Sequence, residues 1–513
     1  MLAGDVCGGR TISRLRLNHC QCRLALKEER RLATIEGNRV EYRGGCWRMR
    51  VLRRVPPTPE QIAVVRRIQT GVSLIRGAAG SGKTTTALLA LRAATGATVN
   101  QFRNDGRLPA NVLVLTYNNS LRSYITAVAE GEMADYADDV RLYISTFDRW
   151  ALDTLGWRGP AVASVRQRLL QLAFPFPRDT PFVKDEVEYL LGRLRPEQLG
   201  DYIAIERTGR GASPAMPRPI RTQLLEQVVE PYLTWKQDNA ARDFNDIAVA
   251  MMEADPAFRY DVIVVDEAQD LSANQLRAVM RHAADDGTVM IVTDSAQRIY
   301  PRGSPWAEAG IVIAPGRSFR LNVNYRNSRQ IATLAASIAA GLTLDDDGSL
   351  PNPAVCRRDG PVPTLLLGRF SRQLEFAMDR LRQIDLSRET VGFLHLKGGG
   401  WFEDIRAALN GSGFDYCELQ GATEWPEGPA NIGLCTLHSA KGLEFDHVFM
   451  IGLSGQHATY GNAPDDDRFE SHRRLVAMGV GRARETVLLG TKPGEDLPLL
   501  GVIPDAVMER VQL

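Results

Sequence analysis

The sequence has no hydrophobic run of the roughly 18–20 residues that a membrane-spanning helix needs. It also lacks the apolar N-terminal segment of a signal peptide, because Asp5 and Arg10 interrupt that region. Seven cysteines in 513 residues, an odd count, do not indicate a disulfide framework. These absences predict a cytoplasmic protein with reduced thiols and no membrane segment.

Repeats and low-complexity tracts are also missing. The net charge is close to zero, with 62 Lys and Arg against 61 Asp and Glu, so no global basic field indicates nucleic-acid binding. The charge is unevenly distributed, however, because residues 1–56 carry 13 basic and 5 acidic side chains. This basic N-terminal segment would suit a phosphate backbone, or it is an ordinary solvated face.

Cysteine and histidine side chains cluster in the same N-terminal segment. Structural zinc uses four such ligands, but the spacing here departs from the usual pairs, so ordinary thiols are the favoured interpretation. The cluster consists of Cys7, His19, Cys20, Cys22 and Cys46.

Alternating strand and helix patterns begin near residue 57, after two prolines. Short apolar, β-branched runs end at polar residues, which is typical of buried parallel strands with ligand residues at their carboxyl ends. The runs are 72–75, 112–115, 262–265, 288–292, 364–367, 391–396, 432–437 and 447–451. The sequence therefore predicts an α/β fold with successive domains at 57–319 and 320–513, and a mainly helical insertion at about 149–242.

Residues 77–84 (GAAGSGKT) match the phosphate-binding pattern G-x-x-x-x-G-K-[ST] in full, between a predicted strand and a predicted helix. Glycines let backbone N–H groups surround a polyphosphate. Lys83 would reach the β- and γ-phosphates and Thr84 would bind Mg²⁺, so ATP and Mg²⁺ are the expected cofactors. The expected nucleotide contacts are Gly77, Ala78, Ala79, Gly80, Ser81, Gly82, Lys83, Thr84 and Thr85.

Two acids directly follow the run 262–265. Asp266 suits a role in holding Mg²⁺, and Glu267 suits polarising the attacking water. Alone, two acids after a strand would more often begin a solvated loop or cap a helix. The phosphate loop makes the catalytic interpretation the stronger one.

Residues 266–270 (DEAQD) resemble motif II of superfamily 1 helicases of the UvrD/Rep-like group, and residues 436–445 (TLHSAKGLEF) resemble motif V closely. Other segments resemble further motifs in the family's order: 58–61 (Q motif), 115–119 (Ia), 145–147 (Ib), 243–246 (an acidic motif), 294–300 (III), 324–327 (IV) and 473–484 (VI). The resemblance covers about residues 57–490 and implies two tandem RecA-like domains.

The resemblance also implies roles for single residues. Gln61 would recognise the adenine, Tyr325 would stack on the base and Glu444 would contact the ribose. The implied catalytic set is Lys83, Glu267, Gln297 as γ-phosphate sensor, and Arg326 and Arg482 as arginine fingers from the second domain. The implied nucleic-acid contacts are Thr116, Tyr117, Asn118, Thr146 and His438. Simpler alternatives are core packing for the two tyrosines and surface ion pairs for the two arginines.

Three features depart from the family pattern. Ala296 replaces an acidic residue of motif III, and the aromatic expected just after that motif is missing, with Trp306 as a candidate replacement. Only 109 residues separate Arg326 from Thr436. We therefore expect the large second-domain insertion of the family to be absent or vestigial, which weakens the expectation of processive unwinding.

The resemblance thus implies an ATP-dependent translocase or helicase on single-stranded nucleic acid, moving 3′ to 5′. DNA is the expected track and RNA is the alternative, because backbone charge and stacking recognise both. The alternative is a nucleotide-gated nucleic-acid-binding subunit that acts with a separate nuclease, repair or defence protein and unwinds little alone. A small-molecule kinase with the same phosphate loop is disfavoured, because it would not explain motifs IV to VI.

Overall fold

Two parallel β-sheets carry the fold in the computed structural model, and both belong to one compact unit, residues 48–513. The structure describes residues 57–77, 80–116, 132–159, 162–207, 213–293, 309–342, 353–398, 400–419, 430–455, 466–494 and 497–513, with residues 122, 125, 126, 129 and 459 between them. The basic N-terminal segment and its Cys/His cluster lie outside the described residues.

The first sheet has six strands in the order β3-β2-β4-β5-β1-β6, and every pairing is parallel. Residues of β4 are buried along its whole length, as the apolar run predicts. The strands are β1 (Gly71–Gly77), β2 (Ala110–Thr116), β3 (Val140–Thr146), β4 (Tyr260–Val265), β5 (Ala283–Thr293) and β6 (Ser318–Leu321). Since β6 crosses the predicted boundary between residues 319 and 320, the first sheet extends to Leu321.

Helices cover this sheet and form the insertion. They are α1 (Pro59–Val65), α2 (Lys83–Asp105), α3 (Phe147–Leu155), α4 (Val162–Ala173), α5 (Thr180–Arg193), α6 (Arg218–Leu224), α7 (Glu230–Asp238), α8 (Phe244–Glu253) and α9 (Ala273–Arg281). The insertion has a hydrophobic core of its own, which includes Phe182, Tyr189 and Tyr202. The acidic motif at 243–246 starts α8, because the Asp243 side chain accepts from the backbone N–H of Asp246 in a capping box.

The second sheet has seven strands in the order β13-β7-β12-β11-β8-β10-β9, again all parallel. They are β7 (Thr364–Leu367), β8 (Val391–His395), β9 (Cys417–Glu418), β10 (Ile432–Thr436), β11 (Phe445–Leu453), β12 (Ala483–Thr491) and β13 (Glu509–Gln512). Its helices are α10 (Arg329–Ala339), α11 (Phe370–Leu381), α12 (Gly400–Gly411) and α13 (Asp467–Val480). The predicted α/β class with two parallel sheets and a helical insertion is confirmed.

The helical insertion contacts the second domain at the start of α13. Ser213 forms a parallel bridge with Asp466, and its carbonyl accepts from the backbone N–H of Asp467 at 2.9 Å. The Asp466 side chain caps the same helix, α13, by accepting from the N–H groups of Arg468 and Phe469. The insertion therefore holds the start of a helix whose other end leads into Arg482.

Within the described part of the chain, no helix combines the length and the apolar character that crossing a membrane requires.

Candidate active site

The phosphate loop lies at the carboxyl end of β1, between its neighbours β5 and β6. Gly82 caps α2 from a left-handed conformation (φ 80°) and supplies no side chain, so the first N–H groups of the helix are left for a ligand. The ammonium group of Lys83 donates to the carbonyl of Gly77 at 2.6 Å. This cation is thereby held at the position where a polyphosphate would lie in such a loop.

Thr84 and Asp266, the two predicted Mg²⁺ ligands, lie close together: Thr84 is in the first turn of α2, and Asp266 directly follows β4. The Thr84 hydroxyl donates to Oδ2 of Asp266 at 2.9 Å. Burial and the adjacent Glu267 raise the pKa of Asp266 above its ordinary value. The Ser81 hydroxyl is buried and has no hydrogen-bond partner among the described residues. Oxygen donors of this kind fit Mg²⁺, and the orphaned Ser81 hydroxyl beside Lys83 fits a phosphate.

Glu267 follows in a left-handed backbone conformation with φ 53°, which is uncommon for a residue with a side chain. Such strain is concentrated at functional sites, where the surrounding structure maintains it. The Gln269 amide donates to Oε2 of Glu267 and fixes the carboxylate. Asp270, in the same turn, is also buried.

Lys441 brings a buried cation to these two acids from the loop after β10 in the second sheet. Its side chain is 0% exposed, and Nζ lies 3.2 Å from Oε2 of Glu267 and also donates to Asp270. Burial would lower the pKa of Lys441, but Asp270 and Glu267 outweigh burial and raise it. Burial would likewise raise the pKa of Glu267, but Lys441, Arg482 and Lys83 lower it. Both groups therefore stay charged.

Arg482 lies in the stretch between α13 and β12 and is 3% exposed. It is among the cations that lower the pKa of Glu267, so the second domain presents it to the carboxylate of the first. Asn327 fixes the backbone on both sides of it, since its amide donates to the carbonyls of Gly481 at 3.1 Å and Ala483 at 2.5 Å. The Asn324 amide in turn donates to Oδ1 of Asn327 at 2.9 Å.

The same segment also contacts the phosphate loop. The backbone N–H of Tyr325 donates to the carbonyl of Gly80 at 3.2 Å. Gly80 has φ 83°, and a Cβ atom there would collide with the amide oxygens of Asn324 and Asn327. Only glycine fits this close approach without strain.

Arg326 and Glu444, the predicted arginine finger and ribose ligand, form an ion pair with each other. The Arg326 guanidinium also donates to the carbonyl of Gly481 at 3.5 Å. The ring of half-buried Tyr325 is covered by the Arg357 guanidinium at 5.2 Å from the ring centre. These side-chain contacts are made within the second domain, and the predicted nucleotide contacts of Arg326, Glu444 and Tyr325 stay predictions.

Gln61 is buried, and its amide links α1 to the phosphate loop. Its Oε1 accepts from the N–H of Thr58 at 2.9 Å, and its Nε2 donates to the carbonyl of Gly82 at 3.3 Å. These bonds hold the Gln61 side chain against the phosphate loop. Adenine recognition by Gln61 stays a prediction.

The predicted nucleic-acid contacts are described only in part. Thr116 is buried at the end of β2, and the Thr146 hydroxyl caps α3 by accepting from the N–H of Arg149 at 3.4 Å. Burial and the nearby Lys441 lower the pKa of His438 to about 4, so its ring is neutral at physiological pH. The predicted residues outside the described part of the chain are Ala78, Ala79, Tyr117, Asn118, Gln297 and the candidate base-stacking Trp306.

Sequence reasoning missed the roles of Lys441, Asp270 and Asn327. All three lie within matched motifs, but a motif match alone does not show which residues contact each other in the folded protein. One signal was available: three acids within five residues after a buried strand need a cation, and Lys441 lies in the most closely matched motif of the other domain.

Family models match part of each sheet. An AAA domain model matches residues 60–302, and the UvrD-like helicase C-terminal domain matches residues 418–491. The chain is 24% identical over 352 residues to ATP-dependent DNA helicase UvrD2 of Mycobacterium tuberculosis, with 48% of this chain and 49% of that protein covered.

Two further relatives match shorter stretches. ATP-dependent DNA helicase Rep of Salmonella typhimurium is 39% identical over 54 residues, which are 10% of this chain and 8% of Rep. DNA helicase II of Escherichia coli is 33% identical over 120 residues, which are 21% of this chain and 16% of that protein. The matches thus span about half or less of the length of these relatives. With an AAA match over residues 60–302 and a UvrD-like helicase match over residues 418–491, this chain belongs to the UvrD/Rep-like superfamily 1 helicases.

Proposed function

We propose that this chain hydrolyses ATP between its two domains and uses the cycle to move along single-stranded nucleic acid, DNA rather than RNA, in the 3′ to 5′ direction. One observation carries the proposal: Glu267 of the first domain forms an ion pair with Lys441 of the second, and Arg482 of the second domain also lowers its pKa. A catalytic carboxylate that meets cations from another domain makes hydrolysis depend on how the domains are arranged.

The chemistry needs charge placement more than covalent catalysis, because hydrolysis of the β–γ bond spreads negative charge over the phosphate oxygens. Mg²⁺, held by Thr84 and Asp266, would supply part of the positive charge there. Lys83 would bind the phosphates, and Arg482 would face them from the second domain. Glu267, which its neighbouring cations keep ionised, would orient the attacking water and accept its proton.

Translocation would follow from the cross-domain contacts. Polyphosphate between Lys83 and Arg482 draws the domains together, and its hydrolysis releases them. If each domain also binds the single strand, alternating closure and opening of the domains would move the two binding surfaces along the strand. The implied nucleic-acid contacts near the ends of β2 and β10 would provide one such binding surface on each sheet.

The test is the ATPase rate of the purified full chain with and without single-stranded oligonucleotides. We expect DNA to raise the rate severalfold, RNA of equal length to raise it less, and Lys83→Ala to abolish it. Lys184→Ala, which removes a lysine of the helical insertion that pairs with Asp185 and Glu188, is the matched control. An ATPase rate that neither DNA nor RNA changes would refute the proposed translocation.

A second candidate is a nucleotide-gated binding subunit that acts with a separate nuclease or repair protein. It is favoured by the short second domain, because the described residues between α10 and β10 belong to β7, α11, β8, α12, β9 and their short connections. A forked-duplex assay separates the two: ATP-driven strand separation or displacement of a bound end label by the protein alone supports the motor. DNA binding that responds to nucleotide without either movement supports the subunit.

A further inference from the structure

An aromatic cluster lies at the carboxyl edge of the second sheet, outside the ATP site and outside the residues discussed above. Trp401, near the start of α12, is 37% exposed although tryptophan is a highly buried residue on average. Its ring contacts two side chains of the same sheet edge: Phe370, which begins α11 after β7, and His395, the last residue of β8. An exposed tryptophan with rings behind it has a defined orientation.

The contacts show how firmly this ring is held. The Trp401 and His395 ring centres are 5.0 Å apart with an interplanar angle of 32°, and Phe370 meets Trp401 edge-on at 5.3 Å. Gly452, near the end of β11, has φ 73°, and a Cβ atom there would lie 3.0 Å from Cζ3 of Trp401. The ring therefore packs over a glycine that leaves it room.

His395 is locked in turn. Its Nδ1 accepts from the N–H groups of Lys397 and Gly398, both at 3.2 Å. Burial lowers the pKa of His395 to about 4, so the ring behind Trp401 stays neutral. A fixed tryptophan loses little conformational entropy when a ligand stacks on it.

The cluster also lies beside the segment that resembles motif V. His395 is in register with Thr436 in the adjacent strand β10, and its carbonyl accepts from the N–H of Leu437 at 2.9 Å. His438 follows directly. Trp401 thus belongs to the same sheet edge as the expected nucleic-acid contact of the second domain.

From this geometry we infer that Trp401 is a stacking platform for one base of the single strand. The inference rests on the proposed function and adds to it a contact that the motif comparison did not assign. Bases of every kind present a π-face, so such a platform tolerates any sequence. Exposed Arg369 and Lys397 flank it, but Glu403 and Asp404 follow on α12. The platform would therefore contribute stacking rather than charge.

The experiment measures binding of an oligothymidylate to the full chain across a series of salt concentrations. Trp401→Leu keeps apolar volume but removes the π-face, and we expect the half-saturating concentration to rise about 5- to 150-fold. Trp401→Phe should fall between Trp401→Leu and the unchanged protein. Because no charge is removed, the slope of log affinity against log salt should stay the same.

Phe174→Leu, at a 79% exposed aromatic of the helical insertion, is the control and should bind like the unchanged protein. The unchanged protein supplies a second measurement: ultraviolet crosslinking to 5-iodouracil in the oligonucleotide should label the peptide that contains Trp401. If the unchanged protein binds DNA, but Trp401→Leu binds equally well or the crosslink lies elsewhere, the platform is refuted and the motor is not. If the unchanged protein binds neither DNA nor RNA, the proposed function itself fails.

Discussion

The ammonium group of Lys441 lies 3.2 Å from a carboxylate oxygen of Glu267, although the two residues belong to different sheets. Because neither side chain is exposed by more than 6%, this pair is shielded from solvent. The ion pair keeps Glu267, the proposed proton acceptor, ionised and, at the same time, fastens the second domain to the first.

Replacing Lys441 by Met should therefore destabilise the protein. The change leaves Glu267 and Asp270 buried without their cation, and breaking a buried pair on one side costs about 3–5 kcal/mol. Urea unfolding measures the loss. Lys184→Met, which removes a lysine paired with Asp185 and Glu188 in the insertion, should cost about 1 kcal/mol or less. Equal losses in the two variants would show that Lys441 is not the central cation of this site.

Glu267→Gln should lower kcat of ATP hydrolysis by about 10²- to 10⁴-fold, the usual contribution of a positioned general base. ATP binding should be retained, because Lys83 and Thr84 are unchanged. Stopped-flow binding of a fluorescent ATP analogue and steady-state turnover separate the two effects. Glu132→Gln, in a surface pair with Arg92, is the control. Loss of binding together with turnover would contradict the assigned role.

Asn327→Ala should reduce turnover through Arg482, because the Asn327 amide bonds the backbone on both sides of that residue. The carbonyls of Gly481 and Ala483 lose their amide donor, so the backbone that carries Arg482 is no longer fixed. We expect a fall in kcat of about tenfold or more and a stability loss of about 1–3 kcal/mol. Arg482→Ala should cost more, about 10³- to 10⁵-fold if it acts as an arginine finger.

The matched control for Asn327 is Asn322→Ala, because Asn322 is exposed and donates to Glu60 instead. The double variant, Asn327→Ala with Arg482→Ala, completes a double-mutant cycle with the two single variants. If Asn327 acts by positioning Arg482, the double variant should be no slower than Arg482→Ala. Additive losses would mean that the two residues act independently.

His472 on α13 predicts a dependence of stability on pH. Neither ring nitrogen has a hydrogen-bond partner among the described residues, and burial lowers its pKa to about 4. Between about pH 6.5 and pH 4 the unfolded chain binds a proton that the folded chain does not. The free energy of unfolding therefore falls as the pH falls through this range.

His472→Leu should remove that contribution. Relative to pH 7, the variant should retain about 2 kcal/mol more stability than the unchanged protein at pH 5. Urea unfolding at the two pH values measures the difference. An unchanged pH dependence would show that His472 is protonated as easily in the folded protein as in the unfolded chain.

The core strands were predictable because apolar runs that end in polar residues leave few alternatives. All eight predicted runs correspond to strands, with ends shifted by a few residues. Strand β3 was missed because it is only partly buried and carries Arg141 and Tyr143 among its apolar residues. Strand β12 was missed because Arg484 and Glu485 stand near its start and break the apolar pattern there.

The site was predictable to the extent that each motif is local. Thr84 and Asp266 could be paired from the sequence, because a phosphate loop and the carboxyl end of another strand of the same parallel sheet lie at one sheet edge. The Lys441–Asp270 pair could not, since it joins segments from different sheets and depends on how the domains meet. The Asn327 bonds could not either, because they join segments 154 and 156 residues apart within the second domain, which no local pattern records.

Helix α13 has a mechanical consequence. It runs for 14 residues, about 21 Å, from its attachment to Ser213 of the insertion to the position just before Arg482. A helix of this length transmits displacement along its axis with little compression. A nucleic acid or protein that binds the insertion and displaces it would therefore shift the Arg482 guanidinium at the far end of the helix. Such a shift would alter the rate of ATP hydrolysis.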